Sequence, residues 1–284
     1  MRILLFGASG QVGRETVEAA ACRKIDLVAL TRADADLSVP GAGAAAIETA
    51  GPSAVINAAA WTAVDKAESE AARARRLNAQ APAELAHACA KAGARFIHLS
   101  TDYVFGGAAA GLIDETAPTG PLNVYGATKL EGEGAVLSAH PDAVIIRTSW
   151  VYAAHGANFV RTMLRLADTR DELSIVDDQV GGPTPAGAIA EACLDIAMKD
   201  GPGGLYHFQG TPPVSWAAFA EAIFAAAKKP VRVRRILTRD YKTPATRPLR
   251  TVLNCAKILR DYGVNQPDWR AGLDGVIARI EDHQ

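Results

Sequence analysis

The first half of the chain alternates short apolar runs with longer segments of helical character. The runs have the length of strands and cover residues 2–6, 26–30, 54–57, 95–100 and 143–148. They are continuously apolar, which is typical of parallel strands that are buried on both faces. The helical segments between them lie at about 14–23, 41–50, 63–91 (with an interruption near Pro82) and 123–139. Strands that alternate with helices in this way predict a doubly wound α/β sheet.

After residue 148 the pattern becomes mixed. Helices are predicted at 159–167, 186–198, 215–227, 254–261 and 273–281, and short strands at 173–176, 205–208 and 231–236. Pro and Gly gather in the connections, as in residues 181–185. We therefore predict a sheet domain over residues 1–150, to which about 185–210 return, and a smaller mixed α/β lobe formed mainly by residues 151–284.

The composition argues against several classes of protein. The chain has 30 Lys and Arg against 31 Asp and Glu, a formal net charge of −1 over 284 residues. Nucleic-acid binders depend on a basic surface, so we predict no nucleic-acid partner. No apolar run approaches the roughly 18 residues of a membrane span, and the N-terminus lacks the pattern of a signal peptide. Four cysteines without metal or disulfide spacing predict reduced thiols in a cytoplasmic protein.

A glycine-rich segment, GASGQVG, joins the first strand to the first helix. Gly7 permits a tight turn, Gly10 lets the backbone approach a pyrophosphate, and Gly13 lets the helix pack closely on the strand. The helix start, at Gln11 and Val12, then presents free N–H groups to the anion. An ordinary strand-to-helix turn is the alternative. The position of the segment after the first strand favours a Rossmann-type, NAD(P)-binding domain.

The end of the second strand indicates which nicotinamide cofactor binds. An acidic residue there accepts a hydrogen bond from the ribose 2′-OH of NAD, whereas an arginine accommodates the 2′-phosphate of NADP. Arg32 stands at this place, which favours NADPH. NADH is the open alternative, because Asp34 and Asp36 are nearby and Arg32 can equally be a solvated surface charge.

Tyr125 and Lys129 form a Y-x-x-x-K pattern in a predicted helix. Residues four apart share one face of a helix, so the ammonium can lie near the phenol and a cofactor ribose. We expect this cation to lower the pKa of Tyr125 from about 10 toward neutrality. The phenol then serves as a general acid or base for a carbonyl or alcohol oxygen. A surface tyrosine beside a surface lysine is the alternative.

Two more polar segments follow predicted strands, at the edge where ligands bind in open α/β sheets. Thr101 follows the fourth strand, where it can hydrogen-bond a substrate oxygen. Asp102 can hold a sugar hydroxyl or a proton, or can cap a loop. After the third strand, small alanines at 58–60 permit close approach of a cofactor. Thr62 and Asp65 also fit a capping box at a helix start.

Taken together, these segments resemble the dTDP-4-dehydrorhamnose reductases, a family of extended short-chain dehydrogenases/reductases. The resemblance is carried by the motifs GASGQVG, NAAAWTAVDKAESE, LSTDYVFGG, PLNVYGATKLEGE, RTSWVYA, NFVRTMLRLA, DDQVGGPT and GLYHFQG. It runs from Gly7 to about Gly210, with weaker matches beyond. It implies the NADPH-dependent reduction of the 4-keto group of dTDP-4-dehydro-β-L-rhamnose to dTDP-β-L-rhamnose. The substrate is thus a nucleotide sugar.

The resemblance also implies roles for the catalytic and cofactor residues. Tyr125 would donate the proton, Lys129 would bind the nicotinamide ribose and tune Tyr125, and Thr101 would polarise the keto oxygen. The cofactor would be lined by Gly10, Gln11, Val12, Asp36, Leu37, Ala60, Trp61 and Thr62.

On the substrate side, the resemblance implies that Thr101 and Asp102 contact the sugar and that Trp150 packs on it. Arg247 would contact the diphosphate, since arginine binds phosphate bidentately. The chain departs from its relatives at Trp61, where some have histidine, and at 248–251, where a polar Asn-Ser pair is more usual.

The metal site of some family members is not matched. Those members are described as dimers bridged by Mg²⁺ through three glutamates. Glu15 matches the first glutamate, whereas Gly187 and about Arg279 stand at the other two positions. One carboxylate per chain is a poor site for a hard cation. We predict no bound metal, and either a monomer or a homodimer.

Two other functions stay open at this point. A sugar-nucleotide 4-epimerase or 4,6-dehydratase shares the fold but needs no net reductant. A non-catalytic regulatory subunit would need neither Tyr125 nor Lys129.

Overall fold

The computed structural model describes residues 1–107 and 111–282, so residues 283–284 of the range predicted for the lobe lie outside the described part. Its central sheet consists of six parallel strands: β1 (Arg2–Phe6), β2 (Asp26–Leu30), β3 (Ala54–Asn57), β4 (Arg95–Thr101), β5 (Val144–Thr148) and β10 (Gly204–His207). The order across the sheet is β10-β5-β4-β3-β1-β2. Because the strands are parallel, their carboxyl ends meet at one edge, where Phe6 pairs with Leu30 and with Asn57.

Helices cover both faces of this sheet. They are α1 (Gln11–Cys22), α2 (Ala42–Ala50), α3 (Val64–Ala67), α4 (Ala71–Arg75), α5 (Ala81–Ala92), α6 (Val124–Ala139) and α8 (Ala186–Met198). Alternate residues of β1 face opposite ways: Ile3 packs in the core with α1 and α8, and Leu4 in the core with α2, α5 and α6. Within the described residues, none of the helices combines the length and apolar character that crossing a membrane requires.

The rest of the chain forms a smaller lobe with its own core. Its elements are β6 (Val151–Tyr152), α7 (Phe159–Ala167), β7 (Glu172–Val176), β8 (Val180–Gly181), β9 (Thr184–Pro185), β11 (Val214–Ser215), α9 (Trp216–Ala226), β12 (Arg232–Ile236) and α11 (Trp269–Glu281), and α10 (Ala256–Tyr262) lies between β12 and α11 in the chain. Strands β7 and β12 pair in parallel, and α7, α9 and α11 bury the fully enclosed ring of Trp269. Helix α10 packs instead beside β10 of the central sheet.

The predicted α/β sheet of Rossmann type is confirmed, but one helical segment differs from the prediction. The expected interruption near Pro82 is wrong, since residues 71–92 continue as α4, a π-helical turn (Arg76–Gln80) and α5. Pro82 lies in the first turn of α5, where a missing N–H is tolerated. The π-turn turns Asn78 inward, where its side chain donates to the carbonyl of Trp61 and to the hydroxyl of Thr128.

Candidate active site

A cleft of about 630 Å³ lies at the carboxyl ends of the central strands. It is the place where open α/β sheets bind ligands. Most residues predicted for the site line it: Gly7, Gly10, Gln11, Val12, Arg32, Asp36, Leu37, Ala60, Thr62, Thr101, Asp102, Tyr125, Lys129 and Trp150. Gly13, Trp61 and Arg247 lie outside this lining.

The glycine-rich turn leaves room for a ligand and N–H groups to bind it. Gly7 adopts the left-handed φ of 84°, and a Cβ atom there would lie 2.7 Å from the backbone nitrogen of Ala59. A Cβ atom at Gly13 would lie 2.1 Å from the carbonyl oxygen of Gly7, so Gly13 serves helix packing. Gly10 caps α1 without a side chain, and the first turn of α1 holds no acidic residue. The uncompensated N–H groups there fit a dinucleotide diphosphate.

The end of β2 places an arginine on the rim. Arg32 is exposed and lines the cleft. The carboxylate of Asp34 turns back to the chain, where it accepts hydrogen bonds from the N–H and the hydroxyl of Thr31 at 2.8 and 2.6 Å. Asp36 accepts from the N–H of Ser38 at 2.9 Å. Both nearby carboxylates therefore have backbone partners, and the arginine points to a site that can take a 2′-phosphate.

Lys129, on α6, lies at the bottom of the cleft and is almost fully buried. Its Nζ donates to the carbonyl of Leu99 at 2.6 Å. This hydrogen bond anchors the side chain near the carboxyl end of β4. Burial lowers the pKa of Lys129 to about 8, and the carboxylate of Glu133 one turn along the helix acts in the opposite direction. Glu133 itself forms a buried ion pair with Arg147 at 2.6 Å and accepts from the hydroxyl of Ser100.

The pKa of Tyr125 runs against the expectation from sequence. Burial raises it to about 12, although a hydrogen bond with the hydroxyl of Thr101 acts to lower it. The predicted shift toward neutrality is wrong for this arrangement, because the loss of water around the phenol outweighs the other effects. The ring lies edge-on to Tyr103, with centroids 5.8 Å apart. Tyr125 is consequently protonated at neutral pH, as a proton donor must be.

Asp102 is a buried carboxyl beside this tyrosine. Its two oxygens accept from the hydroxyls of Thr101, at 3.1 Å, and Thr251. Burial raises the pKa of Asp102 to about 7, and these hydrogen bonds act in the opposite direction. The hydroxyl of Thr101 accepts from the N–H of Tyr103 and so caps the short helix of Asp102–Val104. Backbone N–H groups of Asp102 and Tyr103 also act to lower the pKa of Asp102, so its carboxyl takes part in the same turn.

A pair of stacked indoles forms the lobe side of the cleft. Trp150 has a left-handed φ of 48°, and its ring lies flat on Trp216, with centroids 3.5 Å apart and planes 8° apart. Gly181 leaves room for the ring of Trp150, since a Cβ atom there would lie 2.8 Å from it. Sequence reasoning missed Trp216. The only available signal was an aromatic residue at the start of a helix, a common core pattern.

The capping box predicted from Thr62 and Asp65 is wrong. Ala63 caps α3 without a side-chain hydrogen bond. Asp65 instead accepts from the two terminal nitrogens of the Arg247 guanidinium, at 2.9 and 3.1 Å. This ion pair ties the third-strand loop to the loop before residue 250. The guanidinium predicted to contact a diphosphate is thus already engaged.

Trp61 is likewise held by contacts within the protein. Its backbone N–H donates to the side-chain oxygen of Asn78 at 2.8 Å, and its indole N–H donates to the carbonyl of Ala63. The guanidinium of Arg73 lies over the ring, 5.7 Å from its centroid. These contacts hold Trp61 beside the cleft rather than in it.

The positions that the sequence analysis compared with a three-glutamate site do come together, but as an ion pair. Arg279 donates to both carboxylate oxygens of Glu15 at 3.0 and 3.1 Å. Gly187 lies next to the same carboxylate. A guanidinium in this place does not fit a divalent cation. Across residues 1–107 and 111–282, no cluster of three or more His, Cys, Asp or Glu side chains is arranged to hold a metal.

A Rossmann-type sheet, a glycine turn for an anion, and a tyrosine and lysine on one helix face define the short-chain dehydrogenase/reductase class. The chain belongs to the family described as RmlD substrate binding domain, whose model matches residues 1–281. The resemblance found in the sequence is thereby confirmed.

Relatives cover nearly the whole chain. A dTDP-4-dehydrorhamnose reductase from Burkholderia thailandensis is 44% identical over 286 residues, which cover 95% of this chain and 96% of that protein. The crystal structure of a dTDP-4-dehydrorhamnose reductase from Clostridium acetobutylicum superposes with a TM-score of 0.93 at 36% identity, over 99% of this chain and 100% of that one. The Bacillus anthracis reductase in complex with NADP gives 0.91 at 33% identity, over 98% of each chain.

Proposed function

We propose that this protein reduces the 4-keto group of dTDP-4-dehydro-β-L-rhamnose with NADPH and releases dTDP-β-L-rhamnose, the last step of dTDP-rhamnose biosynthesis. The observation that carries the proposal is one cleft that joins the glycine turn to Tyr125, Lys129 and Thr101. Relatives that bear the name of this activity match along almost the full chain, and one of their structures holds NADP.

The chemistry follows from the protonation state of the side chains. Bound NADPH supplies a hydride to the keto carbon. Tyr125 gives its phenolic proton to the keto oxygen, so that C=O becomes CH–OH. The hydroxyl of Thr101, hydrogen-bonded to the phenol, lies beside the same oxygen, and turning its proton from Asp102 to that oxygen would stabilise the charge that develops there. Lys129 binds the ribose of the cofactor from below the cleft.

The cofactor assignment rests on the end of β2. Arg32 offers a guanidinium to a 2′-phosphate, while Asp34 is occupied by Thr31. We therefore assign NADPH ahead of NADH. The cofactor lies against the sheet domain and the nucleotide sugar against the lobe, where Asp102 and Trp150 contact the sugar.

We place the reaction in the cytoplasm, in a monomer or a homodimer. The support for a reducing compartment is that all four cysteines are free, and that Cys89, Cys193 and Cys255 are buried.

The test is oxidation of NADPH, followed by absorbance, with dTDP-4-dehydro-rhamnose made by its upstream enzymes. We expect steady consumption of one NADPH per sugar and a lower kcat/KM with NADH. An Arg32→Ala variant should reduce the difference in kcat/KM between NADPH and NADH. An epimerase would convert the sugar without consuming reductant, and no oxidation of either cofactor would refute the proposal.

A further inference from the structure

His98, on β4, is a fully buried imidazole that lies against Lys129 and does not line the cleft. Its Nε2 is 3.4 Å from Nζ of Lys129, and its Nδ1 is 3.1 Å from the side-chain nitrogen of Asn57 at the end of β3. The ring thus connects two neighbouring strands to the helix that carries Tyr125 and Lys129.

The imidazole is neutral. Burial, and then the charge of Lys129, hold the pKa of His98 well below its ordinary range. A neutral imidazole carries one proton, so one ring nitrogen donates and the other accepts. Which nitrogen carries the proton determines what Lys129 faces.

Asn57 determines the tautomer. Its side-chain oxygen accepts from the backbone N–H of Ala59 at 3.1 Å, which fixes the orientation of the amide. The amide nitrogen therefore faces His98, and an NH₂ group can only donate. Nδ1 of His98 must then accept, and the proton lies on Nε2, directed at Lys129.

An N–H group is an unfavourable neighbour for an ammonium, which has three donors and no acceptor. A neutral amine, by contrast, can accept from it. Two groups around Nζ stabilise the ammonium instead. The Leu99 carbonyl accepts a hydrogen bond from it at 2.6 Å, and Glu133 favours the charged form. Glu133 is itself paired with Arg147, and Tyr125 on the same helix is protonated and uncharged.

We propose that Asn57 and His98 are positioning residues for Lys129: Asn57 holds His98 in the Nε2–H tautomer, and this N–H disfavours the charged form of the lysine. The inference rests on the proposed function, in which Tyr125 loses its proton in each turnover and Lys129 lies in the same cleft. After Tyr125 has given its proton to the keto oxygen, the Lys129 ammonium gives a proton to the phenolate that remains. The resulting amine accepts from His98 and regains its proton from water.

The tautomer can be read directly in the wild-type protein. Histidine side-chain ¹⁵N–¹H correlation spectra distinguish Nε2–H from Nδ1–H, and loss of one signal in His98→Gln assigns the residue among the 6 histidines. We expect Nε2–H for His98. An Nδ1–H tautomer would overturn the proposal. Because this measurement needs no turnover, it separates failure of this inference from failure of the proposed function.

The consequence for catalysis is tested with His98→Gln. The glutamine amide reaches about as far as Nε2 and can turn its oxygen to Lys129, so an acceptor replaces the N–H without adding charge. We expect the alkaline pKa in the pH profile of kcat to rise by about 1 unit. His140→Gln is the matched control, since that ring bonds to the carbonyl of Ala94 and should leave the profile unchanged. An unshifted profile in a folded His98→Gln variant would contradict the proposal.

Discussion

The two sides of the cleft are built in different ways. The glycine-turn part of the cofactor side comes from consecutive elements, β1, α1 and β2, and the N–H of Gly7 bonds to the carbonyl of Leu30 at 3.1 Å. The substrate side joins distant segments: Asp102 meets Thr251, which is 149 residues away, and Trp150 meets Trp216. A local pattern can specify an anion site, whereas the substrate side exists only once the whole chain has folded.

The largest expected effect falls where the two sides meet. Tyr125→Phe removes the phenolic proton but keeps the ring, so kcat should fall by about 10²–10⁴-fold. NADPH affinity, measured by fluorescence titration, should stay nearly unchanged because the substitution leaves the glycine turn, Arg32 and Lys129 intact. The exposed Tyr241→Phe is the control and should behave as wild type. Retention of most of the activity in Tyr125→Phe would remove this residue from the reaction.

The next effect tests the substrate side through pH. Because the pKa of Asp102 is raised to about 7, the folded state holds this proton more tightly than the unfolded state does. Its contribution to stability is therefore complete below about pH 4 and is lost as the pH rises to 7. Asp102→Asn should gain stability relative to wild type over this range, on the order of 4 kcal/mol.

Urea unfolding at several pH values measures this difference. Asp114→Asn provides a control of opposite sign, because hydrogen bonds from Thr116 lower the pKa of the exposed Asp114. That variant should lose stability relative to wild type as the pH rises to about 4, and the difference between the two should stay constant above it. If wild type and Asp102→Asn changed in parallel with pH, the buried carboxyl would have an ordinary pKa.

The smallest effect tests the cofactor side. Gly13→Ala places a methyl group against the carbonyl of Gly7, and we expect a loss of about 2 kcal/mol in the free energy of unfolding. Gly134→Ala is matched, since it lies on the exposed face of α6 with open space around it. That variant should be stabilised by about 0.5–1 kcal/mol. Equal effects at both sites would mean that Gly13 is not a packing requirement.

The sequence predicted the central sheet well because its signals are local. Continuous apolar runs predicted β1, β2 and β3 with the bounds that the structure shows, and the glycine spacing located the turn before α1. The Y-x-x-x-K pattern found Tyr125 and Lys129 because helical spacing alone brings them to one face.

The remainder depended on information that local patterns do not carry. Burial of Tyr125, which reverses the expected direction of its pKa shift, follows from the packing of several segments. The pairing of Asp65 with Arg247 spans 182 residues, so a capping box was the nearer explanation. The Nε2–H tautomer that we propose for His98 depends on the side-chain amide of Asn57, and the backbone N–H of Ala59 sets the orientation of that amide.

The return of β10 to the central sheet has a consequence for how the molecule comes apart. The chain leaves the sheet after β5, comes back through α8 and β10, and leaves again before α9. Arg279 near its end then reaches back to Glu15 near its start. No single cut would release the lobe as an intact fragment, because each piece would keep strands or helices that belong to the other. We therefore expect the two cores to unfold in one cooperative transition.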